Sequence, residues 1–333
     1  DDHKKMEELY ENGILKKITD WTESGQKISE VERDGTLNHG NYILWYENGN
    51  KKQHSIYKNG ERDGKSIFYF EGGPGGNNKK WEGDYKNDAI EGELIQYRED
   101  GNIKSKETFV NEKLMGKYEY YHKNGNLRQS GCLKDRIKDG EIKSYWENGN
   151  LQTIENFKNG LKHGLLKRYR MDNRLITSGE YVDNYSNGKW IWYYVNGKKM
   201  TEKIYENGIL KKVIDWFENE QKISEVEREG ALNNGNYTVW YDNGNKKEHR
   251  VYRGNILNGK WTEWYISGVK RSEGNMKSNK MHGKWNFYWP NGKKELECGF
   301  DFGVMENSGP KVWYENGIPK KKRHRIVSRY DSI

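Results

Sequence analysis

An aromatic residue followed four positions later by Gly or Asn recurs along this chain every 24 residues, as at Trp21/Gly25, Trp45/Gly49, Tyr97/Gly101, Tyr121/Gly125, Tyr169/Asn173, Trp240/Gly244, Trp264/Gly268 and Trp313/Gly317. A fixed period of this length constrains the fold more than any composition does. Each unit must be one supersecondary element that buries its apolar side only against its neighbours. Where the period breaks, the cause is readable. The stretch GGPGGNN from Gly72 to Asn78 inserts about four residues into one turn, and Glu220 replaces the turn Gly in another.

Within a unit, two strand-like runs flank Asn-Gly, the strongest short hairpin signal because both turn residues tolerate positive φ. The first run is expected to start after Gly40, Gly64, Gly92 and their equivalents, and the second after the Asn-Gly turn. Two strands per unit give a rise of ~10 Å per repeat and a rod of order ~130 Å. A larger duplication lies over the short period: Tyr10–Lys65 is nearly repeated at Tyr205–Lys260, at a constant offset of 195 residues. Residues 1–319 therefore read as about 13 tandem repeats with an eight-repeat duplication, and 320–333 as a basic C-terminal tail.

Composition agrees with thin layers. Only 32% of the 333 residues are hydrophobic and 32% are charged, yet the chain holds 13 Trp and 24 Tyr, too many aromatics for a disordered polyelectrolyte. The net charge of +8 favours acidic partners in general, although 50 acidic residues interleave with 58 basic ones. No run of 18 apolar residues is present. No signal-peptide pattern is visible, which leaves open a leader already removed. Cys132 and Cys298 lie far apart in the repeat register, so no disulfide between them is expected.

The motifs Gly188-Lys189-Trp190, Gly259-Lys260-Trp261 and Gly283-Lys284-Trp285, with turns at Asn48-Gly49, Asn148-Gly149, Asn243-Gly244 and Asn291-Gly292, resemble the MORN repeat family. The resemblance is to its bacterial variant, also known as the YwqK-type antitoxin-like repeat, and covers nearly the whole chain. It implies an all-β fold: an elongated repeat rod of tandem antiparallel β-hairpins in a single-layer twisted sheet, with no catalytic residues and no cofactor. The Tyr-x-Gly start of the commoner pattern appears here mostly as Tyr-Lys-Asn or Tyr-Val-Asp, at Tyr57, Tyr85 and Tyr181.

Counted from the first-strand Gly, the fifth position is aromatic in unit after unit, from Trp45 and Tyr69 to Trp264 and Tyr288, and reads as a structural spine of stacked rings. The other face varies, and its aromatics concentrate at Trp190, Trp192, Tyr194, Trp261, Tyr265, Trp285, Phe287 and Trp289, the candidate partner-binding set. His39, His163 and His282 each precede a strand Gly, a recurring slot that points to a turn role and not to a metal. Gly72 to Gly76 lacks the Gly-Lys-Ser/Thr of a phosphate loop and reads as a hairpin-tip insertion. Lys320, Lys321, Lys322, Arg323 and Arg325 form the one concentrated basic run and the candidate contact to an anionic surface.

The expected function is a non-catalytic scaffold for protein–protein interaction, extracellular or at the cell surface, in adhesion or host contact; a cytoplasmic location is the alternative. Two other readings accompany it: an antitoxin or immunity protein binding a toxin, and binding to anionic lipid at a membrane surface. Nucleic acid is disfavoured as a partner. A dimer through the sheet's terminal edges is a further expectation.

Overall fold

A computed structural model describes residues 5–72 and 78–321. These residues contain 29 strands and no helix, joined in one open antiparallel sheet. Pairing follows chain order, as Lys27–Asp34, Leu37–Trp45 and Lys51–Lys58 show, and where a strand is broken in two, as at Ile137–Lys138 and Gly140–Tyr145, both pieces pair with the same neighbour, Leu127–Lys134. The chain divides into two compact units, Asp1–Leu175 with Tyr181–Asn184, and Ile176–Glu180 with Tyr185–Ile333.

Each repeat contains two kinds of turn, where the sequence pattern announced one. At the Asn-Gly turn, Tyr46 to Asn50, only Gly49 has positive φ, 83°. Its N–H donates to Tyr46 O at 3.0 Å, and Tyr46 N–H donates to Asn50 O at 2.8 Å. The expectation that both residues adopt positive φ fails here because the loop has five residues, and one left-handed residue closes it. It holds instead at the second turn, the two-residue link Asn59-Gly60, with φ of 52° and 90°.

The strands also begin earlier than the glycine punctuation indicates. Leu37–Trp45 contains Gly40, at φ 103°, and the register slips between Val31 and Arg33 where that glycine lies opposite. A bulge inside a strand needs one residue in a conformation L side chains resist, so this Gly marks a bulge and not a strand start.

Alternation along the strands gives the sheet two unlike faces. The face carrying the second, fourth and sixth positions is packed. In the first unit its core is Tyr118, Ile142 and Phe157, flanked by Tyr120 and Leu133. In the second it is Trp261, Met276, Met281, Trp285, Phe287, Leu296, Cys298 and Phe300. The face carrying the fifth-position aromatics is a lysine face: Lys27 lies over the Trp45 ring, Lys79 over Tyr97, Lys222 over Trp240 and Lys246 over Trp264, at 5.4–5.8 Å from the ring centroids. A cation, not the next ring, covers these aromatics, so the spine is built by cation–π contact where ring stacking was expected.

Candidate binding surface

The candidate aromatic set sorts by position. Trp190, Trp261, Trp285 and Phe287 are buried. For Trp190 and Trp285 the reason lies one strand earlier, at a glycine eleven residues before the ring: a Cβ on Gly179 would fall inside the Trp190 indole, and one on Gly274 inside that of Trp285. Missing that Cβ, the indole lies against bare backbone and is removed from water without a second layer of structure. Two of the buried indoles also satisfy their N–H, Trp190 Nε1 donating to Glu180 O and Trp285 Nε1 to Asn275 O, both at 3.1 Å, whereas Trp261 Nε1 is buried without a hydrogen-bond partner. Trp192 is half-buried, with Lys203 Nζ 5.0 Å from its ring.

Tyr194, Tyr265 and Trp289 occupy the sixth position and tie one repeat to the next. Their donors reach Trp216 O at 2.7 Å, Tyr288 O at 2.8 Å and Trp313 O at 3.3 Å. In the first unit the same rung is made by Tyr46 to Tyr69 O at 2.9 Å, by Arg98 to Tyr121 O at 2.9 Å and by Trp146 to Tyr169 O at 3.3 Å. Chemically unrelated side chains share one task, presenting a donor to a carbonyl in the next repeat. Of the eight aromatics read as partner-binding, seven are thus used by the fold, four as core and three as rungs.

A second ladder escaped the sequence reading. Asn148 Nδ2 donates to Met171 O at 3.0 Å while its Oδ1 accepts from Asn150 N at 3.0 Å, and Asn150 Nδ2 reaches the same Met171 O at 2.7 Å. Asn243 and Asn245 repeat this on Ile266 O, both at 2.9 Å. The Asn of the Asn-Gly turn is therefore selected for its side-chain amide, since its backbone is not left-handed.

What remains open to solvent is the lysine face. Its recurring element is Lys-x-x-Glu, with the carboxylate held by that Lys and by a second from the neighbouring strand: Glu82 by Lys79 at 2.8 Å and Lys65 at 3.3 Å, Glu202 by Lys199 at 3.1 Å and Lys189 at 3.9 Å. Glu297 gathers three, Lys294 at 2.5 Å, Lys284 at 3.0 Å and Lys311 at 3.2 Å. Burial raises the Glu82 carboxyl, but hydrogen bonds from Lys79, Tyr97 and Lys65 outweigh it and leave its pKa at about 2. Hydrogen bonds from Lys294, then Lys284, bring Glu297 to about 2 as well.

The remaining sequence candidates are simply placed. His163 Nδ1 lies 3.1 Å from Asp183 Oδ1, on the tight turn of the following repeat, and His282 Nδ1 3.3 Å from Asp301 Oδ1, the residue before such a turn; His39 Nδ1 accepts from Asn59 N at 3.5 Å. Among the described residues no group of three or more His, Cys, Asp or Glu side chains could hold a metal ion. Both cysteines are free thiols, Cys132 exposed and Cys298 buried, and burial pushes the Cys298 thiol up to about 11. No described helix is long and apolar enough to cross a membrane. Lys320 and Lys321 are exposed, with Lys320 Nζ 4.7 Å from the Tyr314 ring; Lys322, Arg323 and Arg325, like Gly73 to Gly76, lie outside the described residues.

Five segments, residues 38–59, 90–111, 116–135, 138–159 and 281–301, match the family described as MORN repeat variant. No curated protein matches the chain. Among solved structures, 94% of the chain aligns with 20% of a chain in the crystal structure of TcdB2-TccC3, at 11% identity and a TM-score of 0.19. It aligns over the same share with 18% of a chain in the Photorhabdus luminescens Tc holotoxin pore, at 12% identity and a TM-score of 0.19. The chain thus spans about a fifth of the length of the structures it matches.

Proposed function

We propose that this chain, five segments of which match the MORN repeat variant family, is a non-catalytic scaffold whose lysine face binds other proteins. The observation that carries this reading is the inequality of the two faces. One is closed by its own tryptophans, rungs and core, while the other presents half-exposed lysines, carboxylates and aromatics at a constant interval. Periodic, rigidly held side chains on a strand framework are preorganised for an extended partner, because their rotamers are already fixed by contacts within the sheet.

The test is site-specific photocrosslinking from both faces of the full chain in cells of the source organism, followed by reconstitution of any adduct from purified proteins. The expected outcome is a defined protein adduct from positions such as Thr238 and Asn286 and none from Trp285. Failure of every lysine-face position to yield a protein adduct, with strong pelleting of the purified chain on anionic vesicles, would overturn the reading in favour of a lipid surface. The scaffold is further proposed to act outside the cell, in adhesion or host contact. Fractionation that finds the chain wholly in the cytoplasm disposes of that part.

A further inference from the structure

Between Lys199 and Glu297 the lysine face has one place where its own rule is broken. Going along the second unit, Lys199-x-x-Glu202, Lys222-x-x-Glu225, Lys270-x-x-Glu273 and Lys294-x-x-Glu297 each supply a lysine and the carboxylate that holds it. Between them stands Lys246-x-x-His249. The histidine takes the register of the glutamates, paired across strands with Thr238 on one side and Thr262 on the other. Its Nδ1 lies 3.1 Å from Thr238 Oγ1.

Losing the carboxylate changes the local balance of charge. Lys246 and Lys260 both act electrostatically on His249, and among the described residues neither is in an ion pair within 4 Å. The anions in range are engaged elsewhere. Glu227 accepts from Asn236 N at 2.8 Å and from its Nδ2 at 3.1 Å, and Glu273 is held by Lys270 at 2.9 Å and by the Tyr288 hydroxyl at 2.8 Å, with Lys260 acting on it electrostatically without an ion-pair contact. The duplicated copy gives an internal control. There His54 bonds Asn41 Oδ1 at 2.9 Å, and Lys65, the equivalent of Lys260, is already held by Glu82 at 3.3 Å. Equivalent sequence therefore leaves two lysines outside ion-pair distance of a carboxylate beside His249 and one, Lys51, beside His54.

The neighbouring repeats show what chemistry such lysines accept: in each, it is a carboxylate. We propose that Lys246, Lys260 and His249 form the receptor for an acidic side chain of a protein partner, the place that the chain's own glutamate fills in the repeats on either side. This rests on the scaffold reading above and narrows it to an acidic partner segment. A carboxylate arriving there meets two ammonium groups beside an imidazole bonded to Thr238, so its hydrogen bonds are charge-assisted. Lys246 additionally stays over Trp264, 5.8 Å from the ring centroid, which fixes its direction without neutralising it.

The experiment uses the full chain and a fluorescein-labelled octaglutamate, read by anisotropy at low salt, with the imidazole signals of His249 and His54 followed by NMR. Octaglutamate is expected to shift the His249 signals and leave those of His54 in place. K246Q and K260Q, both exposed positions, are each expected to weaken binding about fivefold, the effect of losing a contact of about 1 kcal/mol. H249E restores the Lys-x-x-Glu rule, and the built-in carboxylate is expected to abolish the His249-site binding; H54E serves as the matched control and leaves the affinity within twofold. Equal affinity for wild type, K246Q and H249E overturns the proposal, as does competition by inorganic phosphate at the same concentration as glutamate side chains, which would assign an unselective anion site. If photocrosslinking yields a partner that binds wild type and H249E alike, this site is wrong and the scaffold stands. If octaglutamate binds at His249 and no protein adduct is found, the scaffold reading fails and the protein partner with it, while the carboxylate site itself stands.

Discussion

Around Trp285 the packed face buries a cluster of eight side chains, whereas around Ile142 it buries three, although both regions have the same strand pairing and the same turns. The difference lies in what sits opposite the conserved geometry of a strand glycine. Gly274 receives a rigid indole and Gly131 a flexible isoleucine, with the Tyr118 ring beside it. A single-layer sheet cannot bury apolar area against a second layer, so the amount it buries depends on how wide a side chain can lie flat on its own backbone. Tryptophan covers the neighbouring strand and reaches Trp261 and Phe287, at centroid distances of 6.4 and 6.0 Å; isoleucine covers only its own site.

The widest separation between the regions is expected from truncation. Trp285→Ala should cost about 3–5 kcal/mol, while Ile142→Ala should cost about 2–3 kcal/mol, because fewer atoms leave a smaller cluster. Nearest-neighbour coupling makes repeat arrays depart from two-state unfolding, so the informative measurement is amide hydrogen exchange resolved by repeat. Protection should collapse around Trp285 in the first variant and stay intact around Ile142. Equal local losses would remove the distinction between the two clusters.

Next in size is the converse change, adding one methyl group to each glycine. Gly274→Ala places its Cβ among the indole ring atoms of Trp285, which cannot yield without leaving the backbone, and should cost about 1–3 kcal/mol. Gly131→Ala meets chiefly the Cδ1 end of Ile142, which can rotate away, and should cost less than about 1 kcal/mol. Combining Gly274→Ala with Trp285→Leu should recover part of the loss, since Gly83 faces Leu94 in the same register. Thermal melts of the single and double variants decide it; a double variant no better than the single would show that the clash is not with the ring.

Much of this was legible in the residues, and the part that was not has a physical cause. The period, the hairpins and the regular fifth-position aromatics follow from spacing alone. Burial of the tryptophans does not, because in isolation Trp190 or Trp285 reads equally as an exposed anchor on a thin sheet. The signal was present as glycines at 83, 131, 179 and 274, each eleven residues before Leu94, Ile142, Trp190 and Trp285. That spacing crosses a tight turn and a bulge, so it emerges only once the strands are seen to start ahead of Gly92, Gly188 and Gly283, with the separate piece Ile137–Lys138 ahead of Gly140. The asparagine rungs were hidden differently. Asn-Gly is so strong a backbone signal that it masks a side chain chosen for its amide.

Acid should separate the same two regions. The repeats around Glu297 carry a carboxylate whose folded pKa of about 2 lies below its ordinary value of 4.5, while the repeats around Ile142 have Leu127-x-x-Ser130 and Leu151-x-x-Ile154 in that place. A depressed carboxylate contributes stability that is complete above 4.5 and is lost as the pH falls toward about 2. Exchange protection near Glu297 should therefore fall through this window faster than protection near Ile142. Glu297→Gln should flatten the difference at a cost of about 1–2 kcal/mol at neutral pH, part of the attraction being screened because Lys284 and Lys311 are exposed. Parallel acid loss in both regions would show that the lysine face contributes nothing local.

The smallest contrast concerns the asparagine rungs, where the first region is the better built. Glu147 O accepts from both Asn124 Nδ2 at 2.7 Å and Asn126 Nδ2 at 2.8 Å. In the second region Glu315 O accepts from Asn291 Nδ2 at 2.8 Å, and the residue two places on is Lys293, whose Nζ goes to Asn316 O at 2.8 Å instead. Asn291→Ala should therefore cost about 0.5–1.5 kcal/mol, and Asn124→Ala roughly 0.5 kcal/mol less, because Asn126 keeps its carbonyl satisfied. Lys293→Asn should supply the missing donor and bring the Asn291→Ala cost down to that of Asn124→Ala. Should Lys293→Asn leave that cost unchanged, the two rungs are not interchangeable, and the repeats differ at the turn edge as well as on the packed face.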